Sequence, residues 1–360
     1  MSLDPASFVL PAAEIRRSLS RASPGDVVLI AQHCLRIGSY AYAAAICRAF
    51  SEAGMDDPAL RLTEAAALFG AGDHDAALAL VDTVLGRWPE HPGAAFYKAQ
   101  MLAERGQPGA ARELLLGAIE TFPDFPGAQG ALATLFMPGP YYRDVLSRIH
   151  RLLGPATYLE IGVETGATLA LARAARIAVG VDPDPRPLKR ELLPANARVF
   201  EEESAAFFAG HARDEVFGGA FVDLAFIDGM HWYEYALADF INVERWSGRD
   251  STILLHDCVP LLPLTAERQR RSKFWVGDLW KLLPILREYR PDLRLSIVPT
   301  APSGLVVVRG LDPSSTVLSE RLAEIRERYH DRPYPHGALA WPDGVSIVDN
   351  SEAGLKRALA

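Results

Sequence analysis

The chain has 360 residues, 49% of them hydrophobic and 23% charged, with a formal net charge of −8. That length exceeds one compact core, so at least two domains are expected, and the acidic balance argues against general nucleic-acid binding. No apolar stretch approaches the roughly 20 residues that span a bilayer, no export signal opens the chain, and Cys34, Cys47 and Cys258 are too scattered for a disulfide framework or zinc cluster, so a cytoplasmic setting without a membrane partner is expected.

The first elements repeat. Gly38, Gly72 and Gly106 lie 34 residues apart; Ala43, Ala77 and Ala111 keep that step, as do Ile46, Leu80 and Leu114. Pro89 and Pro123 share it, with Met55 at the matching place in the first unit. Small residues let paired helices approach, glycine turns the chain between them, and proline stops the second helix. Period and residue types resemble tetratricopeptide repeats over about residues 25–125, which implies an all-α helical repeat domain over 1–135. The segment before about residue 20 reads as a further, capping helix. Such an array offers a face to a protein partner, and equally serves self-association or bracing of the next domain. His33, His74 and His91 fall at helix ends or turns, as surface residues. Phe122–Gly127 and Met137–Pro140 punctuate the end of the array.

Tyr141 to Leu153 has helical periodicity, with Val145, Ile149, Leu152 and Leu153 on one face. The run from Tyr158 to Thr168 then reads as a buried strand breaking into a glycine loop and an alanine-rich helix that starts near Thr168. Gly162 and Gly166 remove Cβ atoms where a ligand approaches the backbone, and the helix start offers free N–H groups to an anion. Asp182 ends the apolar run 178–181, where a doubly wound sheet sets a carboxylate against ribose hydroxyls. The spacing E-x-G-x-x-x-G differs from the dinucleotide fingerprint G-x-G-x-x-G. It resembles motif I of class I S-adenosylmethionine-dependent methyltransferases. That resemblance implies a cofactor site containing Glu160, Gly162, Glu164, Thr165, Gly166, Thr168 and Asp182.

Further strands are expected at 177–182, 197–200, 221–228, 251–257, 293–298 and 304–309, alternating with helices as parallel βαβ units do. The short link Pro299–Ser303 makes the last two a hairpin. The result is an α/β doubly wound, Rossmann-like, mostly parallel seven-stranded sheet with an antiparallel edge hairpin. Its resemblance to the class I methyltransferase fold covers roughly residues 141–310. A helix at 311–330 and a proline- and aromatic-rich tail follow, the tail placed to cover the site or reach a neighbouring subunit.

Ligands bind beyond the carboxyl ends of such strands. After the third, Glu203 and Ser204 stand where related methyltransferases face the adenine; the run of three glutamates reads equally as a solvated helix start. The fourth ends in Asp228-Gly229-Met230-His231, which packing alone does not call for, although a helix N-cap would use the same residue types. The fifth ends in His256-Asp257-Cys258, with Cys258 read as a small packed residue and His256 open to a structural role.

This arrangement resembles metal-dependent O-methyltransferases, including catechol O-methyltransferase, the macrolide-sugar enzymes and the group containing proteins named cephalosporin hydroxylase. The resemblance implies a divalent cation, magnesium or manganese, on Asp228, His256 and Asp257. It makes His231 the base, with Asp228 shared between catalysis, cofactor and metal. His256 departs from the pattern, since an oxygen donor is usual there and imidazole suits manganese, iron or zinc better than magnesium. The expected activity is S-adenosylmethionine-dependent, metal-assisted methylation of a hydroxyl on a small-molecule substrate, a sugar or secondary metabolite. A metal-independent methyltransferase and a repeat-based adaptor with an inactive cofactor-binding domain are the alternatives. Arg268, Arg270, Arg271 and Lys273 read as a solvated loop or as a grip on a substrate phosphate or carboxylate.

Overall fold

The computed structural model describes residues 10–184 and 186–360, in two compact units, Met1–Leu135 and Phe136–Ala360. Residues 1–9 of the expected capping segment lie outside the described residues; helix α1 (Ala12–Ser18) follows them.

In the first unit the helices are α2 (Pro24–Arg36), α3 (Tyr40–Glu52), α4 (Pro58–Gly70), α5 (His74–Arg87), α6 (Pro92–Glu104), α7 (Pro108–Thr121) and α8 (Pro126–Phe136). The period has a backbone cause. Gly38, Gly72 and Gly106 sit at φ of 76°, 91° and 75°. Each is followed by an N–H reaching back five residues, from Ser39 to Cys34, Asp73 to Leu68 and Gln107 to Leu102. That is the bond that closes a helix on a left-handed glycine. Ala43, Ala77 and Ala111 are fully buried, so the second helix of each pair can lie close to the first. Of the three histidines read as surface residues, His33 is exposed, while His74 stacks on Phe69 at 4.3 Å.

The second unit opens with α9 (Tyr142–Leu153) and is built on an eight-stranded sheet. Strands β1 (Thr157–Ile161), β2 (Ile177–Val181), β3 (Ala197–Phe200), β4 (Val222–Ile227) and β5 (Ser247–His256) are parallel. Strands β6 (Arg294–Val298) and β7 (Leu305–Arg309) form the expected hairpin, and β7 pairs antiparallel with β5. The order is β3-β2-β1-β4-β5-β7-β6-β8. The eighth strand corrects the expected seven. Ser346–Ile347 of the tail forms β8, parallel to β6, and two residues carry no readable alternation.

Helices α10 (Ser204–Gly210), α11 (Arg213–Phe217), α12 (Tyr233–Trp246), α13 (Leu282–Tyr289), α14 (Val317–Glu320), α15 (Leu322–Tyr329) and α16 (Glu352–Leu359) complete the unit. Both sheet faces are covered, so β1 is buried along its whole length. Leu159, Ile161, Val179 and Ile253 pack with Phe240 and Leu286 on one side; Tyr158, Phe226 and Leu254 pack with Val145, Ile149 and Leu355 on the other.

The segment after the glycine loop is a second correction. It forms a 3-10 helix, Leu169–Ala174, with Ala172 out of helical geometry. Strand β2 begins at Ile177, which leaves too little chain for a full α-helix, and Thr168 directs its hydroxyl elsewhere than to a cap. The helix still starts at Thr168, as expected, but it is 3-10 and not α.

Candidate active site

Strand β1 leaves the sheet through Gly162, at φ 86°. A Cβ there would lie 2.1 Å from the Asp228 carbonyl oxygen, so the glycine loop passes directly against the end of β4. Asp182 clasps the loop: one carboxylate oxygen accepts the N–H groups of Val163 and Glu164, both at 2.8 Å. Its other oxygen accepts from Asp184 N–H at 2.8 Å.

Beneath the loop Glu160 is fully buried and receives hydrogen bonds from the Tyr158 hydroxyl at 2.6 Å and the Thr168 hydroxyl at 2.7 Å. Burial pushes its pKa up to about 8, against the opposing pull of those two bonds. The folded state therefore holds a proton that the unfolded chain releases near pH 4.5. Stability from this group is complete below that value and is lost as the pH rises towards 8. Glu160→Gln, which mimics the protonated form, is expected to keep the fold and flatten the fall in melting temperature between pH 5 and 8. The effect at pH 8 is of the order of a few kcal/mol; parallel melting curves for variant and parent would refute it.

At the tip of β4 the Asp228 N–H donates to the Ile161 carbonyl at 2.8 Å, which fixes its carboxylate beside the loop. His231 sits one turn on. Its Nδ1 lies 3.0 Å from the Trp275 carbonyl, an acceptor, so Nδ1 carries the proton. Its Nε2 then faces Asp257 Oδ2 at 3.1 Å and Asp228 Oδ1 at 3.9 Å. Gly277 backs this residue so closely that a Cβ would stand 1.9 Å from the His231 carbonyl oxygen.

Asp257 ends β5 in left-handed geometry, φ 57°, and accepts the Ser303 hydroxyl. That backbone turn folds its carboxylate back toward His256, 3.5 Å away. His256 is buried with Nδ1 3.1 Å from Asp228 Oδ1, Nε2 3.4 Å from Ser303 Oγ, and Tyr142 packed over its ring at 4.4 Å. Burial opposes charge on His256, yet Asp257 and Asp228 together lift its pKa well above the ordinary imidazole value. Burial likewise opposes charge on Asp257, and His256 and His231 hold it well below the usual carboxylate range.

The donor atoms of Asp228, His231 and Asp257 lie within 4.8 Å of one another. His256 Nδ1 also faces both carboxylates, 3.1 Å from Asp228 and 3.5 Å from Asp257. The expected ligands Asp228, His256 and Asp257 thus meet in the structure, with His231 as a second imidazole beside the same carboxylates.

Loop and cluster open into one cavity of about 1040 Å³ in the second unit. Small-molecule sites run to about 1,000 Å³, so a nucleoside and a modest acceptor fit together.

Residues 159–258 match a family model described as a methyltransferase domain, and residues 62–126 one described as a tetratricopeptide repeat. The chain carries a methyltransferase domain and tetratricopeptide repeats. No curated protein sequence matches it. Similar solved structures include an O-methyltransferase from Bacillus cereus in complex with SAH, 16% identical over 47% of this chain and 80% of that one, TM-score 0.38. Another is the O-methyltransferase TomG from Streptomyces achromogenes, involved in tomaymycin synthesis and in complex with SAM, 17% identical over 48% and 80%, TM-score 0.39. MamA residues 41 to the end, from Desulfovibrio magneticus RS-1, is 24% identical over 36% and 67%, TM-score 0.28.

In the methyltransferase domain, Gly162, Glu164, Thr165, Thr168, Asp182, Glu203, Ser204, Asp228, His231, His256 and Asp257 all line the cavity. Glu160 and Gly166 do not: Glu160 braces the loop from below, and Gly166 packs against Leu188 and Leu193. Cys258 is buried, and burial pushes its thiol pKa up, as a packed residue requires. Tyr141, Tyr142, Arg143 and Asp239 line the domain's cavity without having been singled out. Tyr141 and Tyr142 read only as the start of a periodic helix, which carries no ligand signal. Asp239 had one, a carboxylate inside the apolar run Ala236–Val243. It is buried, and burial lifts its pKa to about 6 against a hydrogen bond with Ser204. The tail does not reach this cavity, whose wall ends at Pro302 in chain order; Trp341 instead stacks on Phe136 at 4.6 Å.

Proposed function

We propose that the second unit is an S-adenosylmethionine-dependent O-methyltransferase that methylates a hydroxyl of a small molecule, a sugar or secondary metabolite. The observation that carries this reading is the meeting of the Asp182-clasped glycine loop and the Asp228–His231–Asp257 cluster in one cavity. Gly162, Glu164, Thr165, Thr168, Asp182, Glu203 and Ser204 bind the cofactor, with Asp182 on the ribose side and Ser204 on the adenine side. The cofactor, when bound, supplies an electrophilic methyl group.

His231 is the proton acceptor. The Trp275 carbonyl accepts its Nδ1–H, so Nε2, on the side of Asp257, is the atom that takes the hydroxyl proton. Asp257, 3.1 Å away, stabilises the imidazolium that results. The loop and the cluster hold cofactor and acceptor in line, an effect worth several kcal/mol of barrier. Two carboxylates and one imidazole also fit a divalent cation, and this donor set suits manganese, iron or zinc better than magnesium. Such a cation, held by Asp228 and Asp257, would lower the pKa of the acceptor hydroxyl.

A second reading makes His231 the third cation ligand, favoured by the convergence of its Nε2 with both carboxylates. Two measurements on His231→Ala separate the roles. As a base, its loss lowers kcat roughly 10²–10⁴-fold while manganese affinity by calorimetry persists; as a ligand, manganese affinity falls with it. Failure of the parent protein to bind S-adenosylmethionine in the calorimeter would end the proposal. The first unit, with a groove of about 490 Å³ lined by Leu102, Leu114 and Phe122, is proposed to take a protein partner or a second copy of the chain.

A further inference from the structure

His231 stands just before α12, and a second segment, residues 267–281, wraps the start of that helix. The Trp275 carbonyl accepts the Nδ1–H of His231 at 3.0 Å, and the two rings lie 5.3 Å apart. Three residues on, the Asp278 N–H donates to the His231 carbonyl at 3.3 Å. Gly277 permits that approach: it turns at φ 62°, and a Cβ there would stand 1.9 Å from the same carbonyl oxygen. Ring and backbone of one histidine are thus held by a single short stretch of chain.

The Asp278 side chain, which does not line the cavity, completes the clamp from behind. Trp232, the N-cap residue of α12, gives that helix no side-chain cap. Asp278, 45 residues away, supplies one: its Oδ1 accepts the Tyr233 N–H at 2.9 Å, where a carboxylate also suits the positive end of the helix. Its Oδ2 accepts from Arg268 and Lys281, both at 3.0 Å. Arg268 also reaches Glu234, the second residue of α12, at 2.8 Å, and its guanidinium covers the Trp232 ring at 4.7 Å. The Trp232 indole N–H donates back to the Arg268 carbonyl at 3.2 Å. A cap alone needs no such arrangement, since a serine would serve. What the buried carboxylate and its two cations add is a fixed distance between the Trp275 carbonyl and the turn that carries His231.

We propose that Asp278, locked by Arg268, is a positioning residue that sets the aim of the His231 ring. This rests on the reading that makes His231 the proton acceptor. An imidazole is rigid, so holding Nδ1 on the Trp275 carbonyl fixes where Nε2 points, 3.1 Å from Asp257 Oδ2. Asp278 acts on both sides of that bond: it caps the turn after His231, and its own N–H ties the Trp275 segment to the His231 carbonyl. Misplacement of a reacting group by about 1 Å costs up to about 10²-fold in rate, so the clamp matters to turnover without touching either reactant.

The test reads the ring proton itself, by nitrogen-15 NMR of the full chain labelled at histidine, with the His231 signal identified by its absence in His231→Gln. Exchange of the Nδ1 proton with water, measured below every melting point, should quicken about tenfold or more in Asp278→Asn and in Arg268→Gln, as loss of a charge-assisted bond implies. The side chain of Arg268 is 31% exposed, so its variant decides the matter if Asp278→Asn does not fold. Glu244→Gln is the comparison for general loosening. It breaks another buried pair, Glu244 with Arg290 at 2.7 Å towards the other end of α12, and should lower the melting temperature while the ring proton keeps the parent rate. A parent-like rate in either folded variant overturns the proposal, and so does equal quickening in Glu244→Gln. The measurement needs neither cofactor nor acceptor, so it stands apart from the methyl-transfer reading, which fails instead if the parent chain does not bind S-adenosylmethionine.

Discussion

Asp257→Asn is expected to cut methyl transfer roughly 10²–10⁴-fold, the range for losing a group that supports acid–base chemistry. Asparagine is the informative choice because Asp257 sits at φ 57°, a region that asparagine tolerates and most side chains do not. The backbone at the end of β5 therefore stays in place, and the amide oxygen can still accept the Ser303 hydroxyl. What disappears is the charge that faces His231 at 3.1 Å and His256 at 3.5 Å. An imidazolium formed at His231 then lacks its counter-ion, and a buried protonated His256 is left with Asp228 alone. Breaking such a buried pair costs about 3–5 kcal/mol of stability, so the melting temperature should fall as well. Asp257→Ala adds left-handed strain of about 1–2 kcal/mol. Initial rates of S-adenosylhomocysteine release, measured on folded protein below both melting points, decide the matter. Turnover equal to the parent would remove Asp257 from the mechanism.

Gly162→Ala should be among the most damaging single-methyl changes in the domain. The new Cβ would lie 2.1 Å from the Asp228 carbonyl oxygen, 2.6 Å from its carbon and 2.8 Å from Gly229 Cα. All three are backbone atoms, so no side-chain rotation relieves the overlap; the tips of β1 and β4 must separate. Left-handed strain adds about 1–2 kcal/mol, and the total should reach the exceptional range above about 4 kcal/mol. Separated tips also move the loop off Asp182, so S-adenosylmethionine affinity should fall by about two orders of magnitude or more, as a loss near 3 kcal/mol requires. Gly166→Ala is the internal comparison. It carries similar strain at φ 79°, but its Cβ meets only the ends of Leu188 and Leu193 at 2.9 Å, which can shift. Thermal melts and calorimetry on both variants should give a clear ranking, and equal effects would contradict the backbone argument.

The strand tips were the most legible part of this site. An apolar run that stops at an acid, as 222–228 does, needs a reason at its last residue, and a parallel sheet supplies one. The 34-residue step was equally plain, because each turn needs a glycine at positive φ. The approach of both His231 and His256 to the same two carboxylates was not visible. Neighbours on a strand point to opposite faces, and only the left-handed turn at Asp257 brings its carboxylate back toward His256. Glu160 reads as a ligand-facing acid until burial and the two hydroxyl donors show it to be an internal brace. Tyr141 to Arg143 read only as the opening of a helix, since a rim residue needs no fixed neighbour.

The two residues of β8 matter beyond their size. Without them β6 would be an outermost strand with a free row of N–H and C=O groups, a template on which another chain can assemble. The tail is pinned there from both sides: Arg287 donates to the Asp343 carbonyl at 2.7 Å, and Val348 N–H to the Ile297 carbonyl at 2.9 Å. Shortened forms of the protein would thus be sticky before they were unstable, accumulating as insoluble material at temperatures where the intact chain stays dispersed.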